Sequence, residues 1–194
     1  MKDEEITLIF NSIDLIREEL HKAKIEPQFS DEINKRKKRN PAKIQDDKDV
    51  LRRFAILIAY SQNAPSNLVS EMLDKGIFDE IFHNFEISEV AEMDPDIIIS
   101  HFWDKIKVIR YKKKIASIID CAKSLVSIKS KYGSFAVLLR DMPVNLKSNE
   151  DIEKFWEEFE KLKTKLEREN MPFFKQPTSL LHFLLNIGYD CIKP

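Results

Sequence analysis

The sequence predicts an all-α fold. Three observations carry that expectation. Glycine occurs only three times in 194 residues, at Gly76, Gly133 and Gly188, whereas a sheet protein spends glycine on its turns. No long run alternates apolar and polar residues with the period of two that a half-buried strand requires. Apolar residues instead recur at spacings of three and four, which gathers them on one face of a helix.

The elements follow in order. Glu4–Lys24 sets Ile6, Ile9, Ile13, Ile16 and Leu20 among acids and lysines, an amphipathic helix that Pro27 ends. Asp31–Lys48 is the most polar stretch and carries Lys35-Arg36-Lys37-Lys38-Arg39 ahead of Pro41. It reads as a loop or helix end, serving either as a solvated face or as a nucleic-acid arm. Residues 1–49 thus form an N-terminal helix and basic linker expected to pack on a helical domain of residues 50–194. Val50–Ser61 holds Leu51, Phe54, Ala55, Leu57, Ile58 and Tyr60 on more than one face, as a central buried helix does. Ser61-Gln62-Asn63-Ala64-Pro65 breaks it; Ser66 is the expected N-cap of Asn67–Lys75, and Gly76 its terminator.

Ile77–Phe85 reads as a short aromatic helix, Ser88 caps a turn, and Asp94-Pro95 starts the next helix with proline at its first position. That apolar segment ends at Phe102 and Trp103. After Asp104-Lys105 comes a basic knot, Arg110-Tyr111-Lys112-Lys113-Lys114, which opens a helix with an apolar stripe at Ile115, Ile118, Ile119, Ala122, Leu125 and Val126. Cations at a helix start face the positive end of the macrodipole, so another partner is expected for them: solvent in the plain reading, a phosphate backbone in the functional one. Tyr132-Gly133-Ser134-Phe135 turns the chain into Ala136–Leu139, and Asp141–Ser148 is loop. Asn149 is the expected cap of Asp151–Glu169, with Ile152, Phe155, Trp156, Phe159, Leu162 and Leu166 on its apolar side. Met171–Pro177 is a compact non-helical link, Thr178 caps Ser179–Ile187, and Gly188 closes that helix.

Composition narrows the function. Hydrophobic residues make up 43% and charged residues 34% of the chain, enough for a packed core on a solvated globule. The net charge of −1 excludes attraction of an acidic polymer by overall charge and leaves only a local basic face. Cys121 and Cys191 have neither metal-ligand spacing nor a disulfide framework, and Cys121, beside core positions, reads as a buried thiol suited to a reducing cytoplasm. His83, His101 and His182 are scattered, with no cysteine or acid at ligand spacing, so no metal site is expected. There is no serine–histidine pattern, glycine-rich phosphate loop or HExxH. No signal peptide is visible, and no apolar run approaches the roughly 20 residues of a membrane span. The expected location is cytoplasmic, away from membranes.

Four stretches, in this order, resemble the helix-hairpin-helix DNA glycosylase superfamily, and most of all its DNA-3-methyladenine glycosylase I branch. They are LRRFAILIAYSQNAPSNLVSEML; IFDEIFHNFEISEVAEMDPDII; IKVIRYKKKIASIIDCAKSLV; and YGSF followed by MPFFKQPTSLLHFLLNIG. The first is similar to the family's apolar helix and glutamine turn, the second to its aromatic helix, the third to its "GIIR…KI" helix and the last to its hairpin. The resemblance runs from Leu51 to Gly188. It implies a two-lobed all-α fold with DNA across a cleft and a damaged nucleotide rotated into a pocket, an extrusion that costs a few kcal/mol and less for a lesion that pairs badly.

The resemblance also implies roles. Gln62 and Asn63 fall where the family wedges the duplex, and an amide there replaces hydrogen bonds lost by the partner base. Tyr60 and Trp103 are candidates for the base pocket, or else core aromatics. Arg110, Lys112, Lys113 and Lys114 are candidate phosphate contacts. Lys175, Gln176 and Thr178 fall on the hairpin, whose backbone N–H groups meet phosphate. A second branch of the superfamily uses an aspartate shortly after the hairpin helix to activate water or support the cationic sugar. Asp190, the only acid after the hairpin, is the candidate for that catalytic role, or else a solvated acid. The chain departs from the family at several points. Gln176 stands where the hairpin normally has glycine, Pro177 removes a donor, Tyr60 replaces an acid that reads the base, and Leu68 replaces a pocket tryptophan. The branch's amino-terminal Cys/His/Trp/Tyr segment and its zinc ligands are absent, so neither zinc nor 3-methyladenine specificity carries over.

The expected function is therefore a base-excision repair glycosylase, acting as a monomer and without cofactor on double-stranded DNA, that flips and hydrolytically releases a modified, alkylated purine. The alternative is a non-catalytic DNA-binding or lesion-sensing protein on the same fold, and beyond that a helical scaffold.

Overall fold

A computed structural model describes residues 46–146 and 148–189, together with Ser12, Leu15, Ile16, Glu18, Glu19, His21 and Lys22. Two compact units divide the chain, Met1–Arg39 and Asn40–Pro194. In the first, every described position is helical, as the periodicity of Glu4–Lys24 predicts. Lys22 Nζ meets Glu19 Oε1 at 2.7 Å across one turn. The basic run of residues 35–39 lies outside the described residues.

The second unit is helical, with no strand among its described residues. Its centre is α1 (Asp47–Tyr60), which Asp46 caps by accepting the Lys48 N–H. Val50, Leu51, Phe54, Ala55, Ile58 and Ala59 are buried, so α1 faces neighbours on several sides as its composition predicts. Phe54 stacks on Phe174 at 3.9 Å and lies 4.6 Å from Phe183 and 5.6 Å from Phe135. Such ring pairs add about 0.5–1.5 kcal/mol beyond the area they bury.

Next come α2 (Ser66–Asp74), α3 (Ile77–Ile81), a 3-10 turn (His83–Phe85), α4 (Ile87–Ala91), α5 (Pro95–Ile106) and a second 3-10 turn (Lys107–Ile109). The helix expected over 77–85 breaks after Ile81, because His83, Asn84 and Phe85 take φ of 47°, 53° and 63°. The break turns Phe82 and Phe85 inward, with their rings stacked at 5.6 Å and both buried. The long helix α6 (Lys113–Tyr132) buries Ile115, Ile118, Ile119, Ala122 and Leu125, whereas Val126, expected on that stripe, is 39% exposed. After it come α7 (Phe135–Leu138), α8 (Asn149–Arg168) and α9 (Pro177–Ile187).

Three caps fall earlier than expected, at Ser148 and Pro65 by one residue and at Gln176 by two. Ser148, not Asn149, caps α8: its hydroxyl accepts the Asp151 N–H at 3.1 Å while the Asp151 carboxylate accepts the Ser148 N–H at 3.0 Å. Ser66 and Thr178 lie inside their helices, because Pro65 at the N-cap and Pro177 at the first position pre-set the backbone that a capping side chain would otherwise have to fix.

Helices α1 and α6 lie side by side and antiparallel, tied at both ends. At one end the Asp47 carboxylate accepts the Phe135 N–H at 2.9 Å, just past the C-terminus of α6. At the other, Lys114 at the start of α6 reaches the last turn of α1.

Candidate nucleic-acid interface

The last carbonyls of an α-helix have no partner within the helix. At the end of α1, the Ser61 hydroxyl donates back to the Ile58 carbonyl at 2.7 Å. The Lys114 ammonium donates to two more, Ala59 O at 3.0 Å and Ser61 O at 2.7 Å. Lys114 is only 3% exposed. The negative end of the α1 dipole faces it, but burial, together with the charges of Arg110 and Lys113, pulls its pKa down to about 8. The sequence places Lys114 among the phosphate contacts; its ammonium is instead turned inward, where it holds the turn that follows α1.

That turn presents Gln62 and Asn63. Both are exposed, and both are left-handed, with φ of 55° and 59°. Buried Ala64 returns the chain to the core. Tyr60 is half-buried, and its hydroxyl lies 2.7 Å from Ser70 Oγ, joining the end of α1 to α2.

The basic step lies against the same end of α6. Arg110 has φ 74° and ψ −39°, and the Tyr111 N–H donates to the Ile109 carbonyl at 3.0 Å. Together these define a γ-turn of the rare, strained hand. Ile109 and Ile115, fully buried, fix the chain on either side, while Arg110, Tyr111, Lys112 and Lys113 are exposed. The Lys112 ammonium stands 5.5 Å over the ring of Trp103, half-buried on α5. Those of Lys113 and Lys114 lie 5.6 and 5.9 Å from the Tyr111 ring. No carboxylate among the described residues pairs with Arg110, Lys112 or Lys113, whereas nearby Lys105 and Lys107 are within 3.6 and 3.5 Å of Glu80 and Asp104.

The hairpin joins α8 to α9. Buried Glu169 accepts from Ser127 and from Lys131, each at 2.7 Å, and so ties the hairpin entrance to α6. Asn170 and Phe173 are left-handed, at φ 53° and 62°. The Phe174 N–H donates to Pro172 O at 2.6 Å, a second γ-turn. Phe174 is buried on Phe54, and the Cys121 thiol donates to Pro172 O at 3.9 Å. Lys175, Gln176 and Thr178 are exposed. The first backbone bond of α9 is from Leu180 to Gln176, so the N–H groups of Thr178 and Ser179 have no acceptor inside the helix.

The structure therefore brings the Gln62–Asn63 turn, Trp103 and the exposed cations together at the N-terminal end of α6. The hairpin meets the same helix at Cys121, about 10 Å further along at 1.5 Å per residue. Asp190 lies outside the described residues; Tyr189 before it is buried and donates to Leu139 O at 3.2 Å. Among the described residues no group of three or more His, Cys, Asp or Glu is placed to hold a metal, and no helix is long and apolar enough to cross a membrane. Sequence reasoning missed two residues, Lys114 as an internal strut and Tyr111 as an exposed ring. Lys114 had a signal: with Ile118, Cys121 and Leu125 it makes one stripe at helical spacing.

A model of the methyladenine glycosylase family matches residues 42–188. Among solved structures, 3-methyladenine DNA glycosylase I from Staphylococcus aureus is similar, with 20% sequence identity and a TM-score of 0.55 over 74% of this chain and 78% of that one. At that identity the likeness speaks for the fold. No curated protein matches significantly.

Proposed function

The chain belongs to the methyladenine glycosylase family, and from that premise we propose that it is a DNA glycosylase that extrudes an alkylated purine from duplex DNA and releases it by hydrolysis. The observation that carries the reading is the Lys114 strut, which joins the exposed Gln62–Asn63 turn to a step of cations that no carboxylate pairs. A duplex laid on this surface meets Arg110, Lys112 and Lys113 with its phosphates and the two amides with its base stack. On the hairpin, Lys175, the Gln176 and Thr178 side chains and the free N–H groups at the start of α9 take a further phosphate; Pro177 contributes no donor, so this contact is weaker than a glycine-rich hairpin would make.

In the reaction, the C1′–N bond breaks and the base leaves with the bonding electrons. An alkylated purine that carries a positive charge is neutralised as it leaves, so its departure needs little acid help. Water adds at C1′ and gives up a proton, for which Asp190 is the proposed acceptor. Tyr60 and Trp103 supply aromatic faces for the extruded base, and such stacking is worth about 1–3 kcal/mol per base.

The test is to incubate the protein with methylated duplex DNA and separate free bases by chromatography. The proposal expects free alkylated purine in step with abasic sites. A second reading, a lesion-sensing protein without turnover, is favoured by one observation: Tyr60, with its hydroxyl engaged by Ser70, stands where the resemblance puts a base-reading acid. Tight, salt-dependent binding with no base released would establish that reading and exclude catalysis.

A further inference from the structure

The γ-turn at Arg110 sets a side chain at the surface that the reading above does not use. Non-glycine residues seldom hold φ 74°, ψ −39°, and here buried Ile109 and Ile115 pin the chain in it. The result is Tyr111 with 45% of its area exposed, whereas Tyr60 and Tyr132 are half-buried and Tyr189 is buried. Its ring has ammonium groups 5.6 and 5.9 Å away, those of Lys113 and Lys114. The Lys114 ammonium is also 2.7 Å from the Ser61 carbonyl. The ring and the Gln62–Asn63 turn therefore flank a single ammonium group. An aromatic face beside the exposed Arg110, Lys112 and Lys113, which no carboxylate among the described residues pairs, suits a nucleobase with its phosphate. The base stacks on the ring while these three cations meet the anion, and Lys114 stays turned inward on its carbonyls.

We infer that Tyr111 is a further stacking residue of the DNA surface, distinct from Tyr60 and Trp103 in covering not the extruded base but the base left bare when its neighbour is extruded beside the Gln62–Asn63 turn. The inference rests on the proposal that this surface takes DNA. A purely structural account makes the ring a lid over the Lys114 ammonium, and the two accounts differ in what the ring does when a gap opens in the stack.

The experiment titrates the full chain with two duplexes of one sequence, intact or carrying a tetrahydrofuran abasic analogue, and follows anisotropy over a salt series. Wild-type protein prefers the gapped duplex. Tyr111→Leu loses about tenfold on the gapped duplex alone, within the roughly 5- to 150-fold that stacking one base is worth, and keeps its salt slope; Tyr111→Phe keeps wild-type affinity. Tyr111→Trp gains fluorescence over wild type that is quenched by the gapped duplex and not by the intact one. Equal affinities of wild type and Tyr111→Leu for the gapped duplex, or an equal loss on both duplexes, overturn the inference. So does an unquenched Tyr111→Trp, even if the leucine variant fails to fold. A wild-type chain that binds neither duplex removes the DNA reading and the inference together, and its own titration tells that outcome from a failure of Tyr111 alone.

Discussion

A lysine held by two carbonyls carries its charge into the fold at a cost. The pKa of Lys114 is about 8 in the folded protein against 10.5 in the open chain. Below pH 8 both states hold the proton and the penalty for the buried charge is complete. Between pH 8 and about 10.5 the folded state has released its proton while the unfolded state keeps it, so stability from this group rises with pH. The melting temperature of wild type should therefore gain on that of Lys114→Met between pH 7 and 10; a constant difference would show that the ammonium is not desolvated. Tyr60→Phe removes the hydrogen bond to Ser70 and should cost about 1 kcal/mol in denaturant unfolding; no loss would mean that water replaces it. The stripe of Lys114 with Ile118, Cys121 and Leu125 was legible in the sequence. Its meaning was not, because a lysine in a basic run looks solvated until the carbonyls of a distant helix are placed against it.

Periodicity identified most helices, since burial of one face is a local property of the pattern. What it missed at this scale came from tertiary demands. The kink at residues 83–85 exists to bury Phe82 and Phe85, and nothing within those three residues announces it. The capping box of α8 is testable: Ser148→Ala should lower stability by about 1 kcal/mol, read from the shift in denaturation midpoint, and no shift would place the helix start elsewhere. The hairpin can be tested through its departure from the family pattern. Gln176 is exposed and its side chain makes no cap hydrogen bond, so Gln176→Gly should let phosphate approach the backbone more closely and tighten duplex binding several-fold; unchanged affinity would put the hairpin outside the interface.

At the scale of the whole molecule, a net charge of −1 makes any attraction to DNA depend on where the cations stand. The family was legible from the order of four stretches. The meeting of the Gln62–Asn63 turn with the basic step was not, because Ser61 and Lys114 are 53 residues apart and only the antiparallel pairing of α1 with α6 joins them. If residues 112 and 113 meet phosphate, the double variant Lys112→Ala, Lys113→Ala should reduce the salt slope of duplex binding by about 2; an unchanged slope would remove them from the interface. Hydrogen exchange of the full chain with and without methylated duplex, at concentrations where the complex forms, tests the DNA surface most directly. The account predicts slowed exchange at residues 60–64, 107–113 and 173–179, with the exposed side of α8 unchanged. Protection confined to other segments, or exchange at these three that DNA leaves untouched, would contradict it.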